Sequence, residues 1–362
     1  MSRSSDATTY TRNLISIIIP CRNEEAFIDA CLESVVAFEV PDGCRTEILV
    51  IDGESEDRTP EILAAWDERQ TNLRVLRNPD RYQSFAFNLA LEQARGEWIV
   101  RLDAHSTYPS DYLGLCLETA RRTGADNVGG TLITLPGGES YQARLVQALT
   151  THRFGVGDSG FRTGAGEGPA DTVPFGFFRR EVFDRIGRMD ERLIRAQDYE
   201  FNRRILDAGG KVWMNPAIRI FYRNQPTLAA FYRKQVTREA PYNAWLWYVA
   251  PYAFTPRHAV TGLFAAGVLG GLVLSPLSPL IAALFAGVMA LYLVLALGAA
   301  VQQAARYRDI RHILVLPLLF FLYHFLHGLG VLWGLLRLAT GTAPVQRRTG
   351  SRTRAGTARE RL

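Results

Sequence analysis

Short apolar runs and longer amphipathic stretches alternate from Leu14 to Asp103. Leu14-Ile15-Ser16-Ile17-Ile18-Ile19-Pro20 is rich in β-branched residues and ends at a proline, the pattern of a strand buried on both faces. An amphipathic helix is predicted over Glu25–Phe38, then a strand over Glu47–Ile51 ending in Asp52. A helix over Pro60–Gln70, a strand over Leu73–Leu76, a helix over Ser84–Ala94 and a strand Trp98-Ile99-Val100-Arg101-Leu102 follow. Strands alternating with helices of this length predict βαβ units and a mainly parallel α/β sheet. Ligands of such sheets bind beyond the carboxyl ends of the strands. Arg22-Asn23-Glu24, Asp52 and Asp103 stand just after three predicted strand ends.

The pattern loosens after Gly124. Gly155–Gly168 carries glycines and short polar residues and is predicted to be a mobile loop. Helices are predicted over Arg180–Gly187 and Asp198–Ala208, and an aromatic amphipathic segment over Phe231–Trp247. From Val260 to Val301 no residue is charged, and a third apolar run covers Ile313–Leu336. A bilayer span needs about 20 residues, and a charge at its centre costs a few kcal/mol. Membrane helices are therefore predicted at about 258–275, 280–301 and 313–336, against the alternative of a buried helical hairpin. The basic loop Arg306–Arg311 is expected on the cytoplasmic side. The third run poses a conflict: if it spans, the arginine-rich tail lies outside, against the same charge rule, and Pro317, Gly328 and Gly330 permit a re-entrant or interfacial helix instead.

Composition narrows the function. Hydrophobic residues make up 48% and the net charge is +5, which does not call for a nucleic-acid partner. The four cysteines show no zinc spacing and are expected as buried thiols. Met1–Asn13 is polar, without an apolar core, so a cytosolic first domain is expected. The loop Pro20-Cys21-Arg22-Asn23-Glu24-Glu25 carries no G-x-G-x-x-G, and no Walker motif occurs. Hydride transfer and P-loop chemistry lose their main support.

Several motifs then stand in order: Ile17–Pro20 with Asn23-Glu24-Glu25; Val50-Ile51-Asp52 with Ser55 and Asp57; Asp103-Ala104-His105; Gln197-Asp198; and Gln235-Val236-Thr237-Arg238. Over roughly Leu14–Tyr242 the chain resembles the family 2 inverting glycosyltransferases of GT-A fold, most of all the succinoglycan-type exopolysaccharide enzymes. Asp103-Ala104-His105 replaces that family's Asp-x-Asp, and Gln197 replaces a glutamate. The resemblance implies a GT-A nucleotide-diphospho-sugar transferase fold with a mainly parallel sheet, plus C-terminal transmembrane helices. Together with the charge pattern, the expected organisation is a flexible segment 1–12, a GT-A glycosyltransferase domain 13–250, a membrane domain 256–338 of two or three helices and a basic disordered tail 339–362.

The same resemblance implies a nucleotide-sugar site at Pro20, Arg22, Glu24, Asp52, Ser84, Asn88 and Asp103. Glu24 alone is equally explained as a helix N-terminal acid. A divalent cation, Mg²⁺ or Mn²⁺, would be held by Asp103 and His105, unless His105 hydrogen-bonds phosphate instead. Asp198 is the expected general base, or else an ordinary helix acid. Gln197, Gln235 and Arg238 are expected on the acceptor or diphosphate side. His324 and His327 are expected to face either a polyprenyl-phosphate headgroup or each other and backbone carbonyls. The implied reaction moves a hexose, glucose from UDP-glucose, onto a lipid-linked saccharide at a bacterial cytoplasmic membrane. A polyprenyl-phosphate sugar synthase and a non-catalytic scaffold of an assembly complex are the alternatives.

Overall fold

The computed structural model describes residues 10–345. Most of segment 1–12 and of the tail 339–362 lies outside these residues; Thr11 and Arg12 already belong to a strand, and Val345 is buried. Nine strands are present among the described residues: β1 Thr11–Cys21, β2 Arg45–Asp52, β3 Leu73–Arg77, β4 Gly96–Arg101, β5 Ser106–Thr107, β6 Asn127–Leu135, β7 Gly168–Pro169, β8 Phe177–Arg179 and β9 Val212–Arg223. They form one sheet in the order β3-β2-β1-β4-β8-β6-β9-β5, with β7 beside β9. β1, β2, β3 and β4 are parallel, as expected. The later strands make the sheet mixed, because β8 runs antiparallel to both β4 and β6.

Helices cover both faces. They are α1 Ile28–Val36, α2 Thr59–Arg69, α3 Gln83–Gln93, α4 Tyr112–Thr123, α5 Tyr141–Thr150, α6 Arg153–Val156, α7 Gly160–Thr163, α8 Glu181–Ile186 and α9 Gln197–Asp207. Alternate residues of each strand enter opposite cores. Ile17, Ile19, Val50 and Val100 pack toward α1 and α4, whereas Ile18, Leu49, Ile51 and Ile99 pack toward α3, α8 and α9. This double burial explains why these strands read as unbroken apolar runs.

The glycine-rich stretch 155–168, expected as a mobile loop, holds the end of α6 and the single turn α7, and Phe154 just before it packs edge-on against Phe320 and tilts against Tyr292.

The predicted segment 231–247 is three pieces: α10 Leu228–Lys234, a π-helical turn Gln235–Glu239 and α11 Ala240–Val249. Then come α12 Pro256–Leu274, α13 Pro279–Tyr307 and α14 Arg311–Ala339. Segments 256–277, 279–307 and 311–339 are long and apolar enough to cross a membrane.

Candidate active site

The parallel direction of β1, β2 and β4 brings their carboxyl ends to one edge. Two loops there are tied into a single unit. Asn23, in a left-handed conformation, donates its N–H to the Ser55 hydroxyl at 2.9 Å and accepts from the Glu56 N–H at 2.8 Å. The Glu24 N–H donates to Thr59 Oγ1 at 2.8 Å. Asp52 accepts from the Ser55 hydroxyl at 2.5 Å and from its N–H, an Asx-type turn. Pro20 is buried in β1, and Arg22 stands 3.7 Å from Glu56. Two other expected nucleotide contacts turn inward. Ser84 has no exposed surface, and the buried amide of Asn88 is spent on both backbone groups of Met189 and on Glu191. Helical spacing alone could not separate the inner face of α3 from the cleft face.

Glu24 and His105 meet across the edge, with Nδ1 3.2 Å from Glu24 Oε1. Burial opposes a charged imidazole here, but the hydrogen bond to Glu24 and the neighbouring charges of Tyr222, Asp103 and Glu24 outweigh it. The His105 pKa is pushed up to about 9. One ring nitrogen is thus used within the protein and the other remains for a ligand.

Asp103 Oδ1 accepts from Arg101 Nη2 at 2.7 Å and from Gln83 Nε2 at 3.0 Å. Both bonds fall on one oxygen, which leaves Oδ2 for a ligand. Among the described residues no three His, Cys, Asp or Glu side chains gather as a metal cluster. A divalent cation on Asp103 would therefore take oxygens from a bound diphosphate, as hard cations do. The free carboxylate oxygen fits that role; His105 fits it less directly, since Glu24 already holds its Nδ1.

Arg101 was not singled out by sequence. It is only 3% exposed, lies over the Phe175 ring, and places Nη1 3.9 Å from Asp198 Oδ2. A second bridge runs beside it: Gln197 Nε2 donates at 2.5 Å to Gln83 Oε1, and Gln83 donates to Asp103. Gln83 and Arg101 thereby link Asp103 to the start of α9, which carries Asp198. The backbone bends to achieve this. Phe175 and Ala196, just before Gln197, adopt left-handed φ values of 65° and 60°, costly for residues with a Cβ. The available signal for Arg101 was a lone charge inside an otherwise apolar strand.

A cavity of about 760 Å³ opens from these residues. Gln83, Arg101, Asp103, Gln197 and Asp198 line one end, and Phe264, Tyr292, His324 and His327 of α12–α14 line the other. His324 Nδ1 meets the Tyr292 hydroxyl at 2.8 Å, and His327 Nδ1 meets Thr261 Oγ1 at 2.9 Å. Arg153, Arg162, Arg195 and Arg257 also face the cavity. Among the described residues Arg162 makes no ion pair and instead lies over the rings of Phe161 and Tyr222. Gln235 and Arg238 do not line this space; Arg238 is exposed, and the π-helical turn presents Glu239 to the cavity instead. The extra residue of a π turn shifts which side chain faces inward.

The family model described as Glycosyl transferase family 2 matches residues 16–187. Succinoglycan biosynthesis protein ExoA of Rhizobium meliloti (strain 1021) is 34% identical over 221 residues, covering 60% of this chain and 65% of the relative. Dolichyl N-acetyl-alpha-D-glucosaminyl phosphate 3-beta-D-2,3-diacetamido-2,3-dideoxy-beta-D-glucuronosyltransferase of Methanococcus voltae is 29% identical, covering 57% of this chain and 65% of that relative. The match therefore spans a little under two thirds of the length of both. Among solved structures, a mannosyltransferase from Pyrobaculum calidifontis, in complex with GDP-Man and Mn²⁺, has a TM-score of 0.58 at 19% identity, covering 90% of this chain and 88% of that one. That likeness carries the GT-A fold.

Proposed function

We propose, for a chain that carries a family 2 glycosyl transferase domain over residues 16–187, inverting transfer of a hexose from a nucleotide sugar to a lipid-linked saccharide. The donor in this reading is UDP-glucose and the setting is exopolysaccharide assembly at the cytoplasmic face of a bacterial membrane. The observation that carries it is the single cavity joining Asp103 and Asp198 to helices long and apolar enough to enter a membrane.

Asp198 accepts the proton of the acceptor hydroxyl as that oxygen attacks the anomeric carbon. The sugar–phosphate bond breaks from the opposite side, and an α-linked donor gives a β-linked product. Asp52 and Glu24 receive the nucleoside, with Arg22 beside them. A divalent cation held through Asp103 Oδ2 would neutralise charge on the departing diphosphate. His105 offers its remaining nitrogen to the same phosphates. Release of UDP by the purified full-length protein, with a lipid-linked acceptor and with or without Mn²⁺, tests the reading. No UDP release from any nucleotide sugar would remove it.

A second reading has one specific support. Among the described residues Arg162 lines the cavity without an ion pair, whereas Arg153, Arg195 and Arg257 of the same lining pair with Asp158, Glu239 and Asp171, and a guanidinium without a carboxylate suits a phosphate. An acceptor that is itself a polyprenyl phosphate would place its charge there and would need no base.

A further inference from the structure

The helical stretch after α10 divides its surface between two neighbours. Val236, Ala240, Pro241 and Ala244 face α14, where Gly330 and Gly334 leave room for them. A Cβ at Gly330 would stand 2.7 Å from the Val236 carbonyl oxygen, and one at Gly334 2.8 Å from that of Pro241. The Trp245 indole fixes the same contact by donating to the Gly334 carbonyl at 3.1 Å. With that side spent on α14, the stretch turns Glu239 and Asn243 to the cavity. They stand four positions apart, so their Cβ atoms lie about 5–6 Å from each other along one side of the helix.

Neither residue has spent its hydrogen-bonding capacity. Buried Asn78, Asn88, Asn127, Asn202, Asn215 and Asn224 each bond through the side-chain amide. The amide of half-buried Asn243 bonds to none of the described residues. The Glu239 carboxylate has its charge balanced, with Arg195 Nε at 3.7 Å and Lys234 Nζ at 3.9 Å, but both lie beyond hydrogen-bond distance. Position decides what would use these groups. Arg195 stands three residues before Asp198 and ties Glu239 to the entry of α9. The pair therefore sits on the side of Asp198, whereas Glu24, Asp52 and Asp103 follow the strand ends of the sheet. A carboxylate only accepts, and an amide both donates and accepts. Together they suit groups that do both, as hydroxyls do and ionised phosphates do not.

We infer that Glu239 and Asn243 bind hydroxyls of the acceptor sugar and so select which sugar receives the transfer. The inference rests on the hydroxyl-acceptor reading given above. Glu239 accepts from one hydroxyl of the ring and the Asn243 amide bonds to another, which leaves the hydroxyl to be glycosylated facing Asp198. A site built to bond a hydroxyl rejects the analogue that lacks it, because its own polar groups are then left unpaired. An acceptor that offers only a phosphate gains nothing from a carboxylate on this wall.

The test uses the full-length protein in detergent, UDP-glucose as donor, and synthetic farnesyl-diphosphate-linked mono- and disaccharides as acceptors. Glu239→Gln and Asn243→Ala are each expected to raise the acceptor KM by about 10–100-fold, while donor affinity by calorimetry stays within a few-fold. Acceptors lacking one hydroxyl give the sharper readout. One such deletion should cost the wild-type protein about 10-fold or more and cost one of the two variants little, since the partner is already gone. Equal deletion penalties in the wild type and both variants, or an acceptor KM unchanged in both, overturn the inference and leave the transfer reading standing. A joint loss of donor affinity and melting temperature in both variants would make the two residues structural and overturn it as well. Wild-type transfer to farnesyl phosphate but to no saccharide removes the hydroxyl-acceptor reading, and this inference with it.

Discussion

The guanidinium of Arg101 donates to the Asp103 carboxylate at 2.7 Å from a position almost wholly out of water. Its other terminal nitrogen stops 3.9 Å from Asp198 and has no hydrogen-bond partner. The two acidic groups of the cleft are thus held by one buried cation, a costly arrangement unless the geometry matters.

Arg101→Lys keeps the charge and loses the fork that reaches both carboxylates. In steady-state transfer assays kcat is expected to fall by about 10–100-fold, while the donor KM stays within a few-fold, because the loops that carry Glu24 and Asp52, the proposed nucleotide contacts, are untouched. Arg101→Gln leaves Asp103 without its cation and is expected to lower thermal stability as well, which a melting curve of the solubilised protein would record.

Asp198→Asn keeps size and hydrogen bonding but cannot take the hydroxyl proton. Loss of a general base is typically worth 10²–10⁴-fold, so kcat should drop on about that scale while calorimetric donor affinity survives. If the acceptor is a phosphate, transfer would stay close to wild type. The same assay therefore separates the two functional readings.

Asp103→Ala removes the free Oδ2 oxygen. Binding of Mn²⁺ in the presence of UDP, followed by electron paramagnetic resonance, is expected to be lost. Donor affinity should then no longer depend on added metal. Metal-dependent binding that persists would move the ion away from Asp103.

Glu47 offers a pH test of stability away from the site. Burial by itself would raise its pKa, but hydrogen bonds from Ser16 and Arg95 outweigh that and hold it below the usual carboxylate range. The folded value lies below the unfolded one, near 4.3, so its contribution is present above that pH and is lost as pH falls through the folded value. Glu47→Gln should destabilise at pH 7 by about 1–3 kcal/mol. The gap between the two melting temperatures should narrow as pH is lowered below about 4.

Local pattern was enough for much of the α/β half. The first four long strands, the helices between them and the strand-end placement of Glu24, Asp52 and Asp103 follow from burial of apolar runs and from the direction that parallel strands impose. Those are properties of neighbouring residues, and a sequence displays them. The apolar runs were legible through their lack of charge.

What only the tertiary structure decided depends on partners far apart in the chain. Arg101 gains its place because Phe175 covers it and Asp198 approaches from a helix almost a hundred residues later. Asn88 faces inward because Met189 needs its amide, and Gln235 and Arg238 miss the cavity because the turn there is π-helical. For α14 the composition satisfies a bilayer and a protein interface equally well, since both reward apolar surface. Its actual partners, α5, α10, α11, α12 and α13, come from widely separated parts of the chain, and no local signal names them.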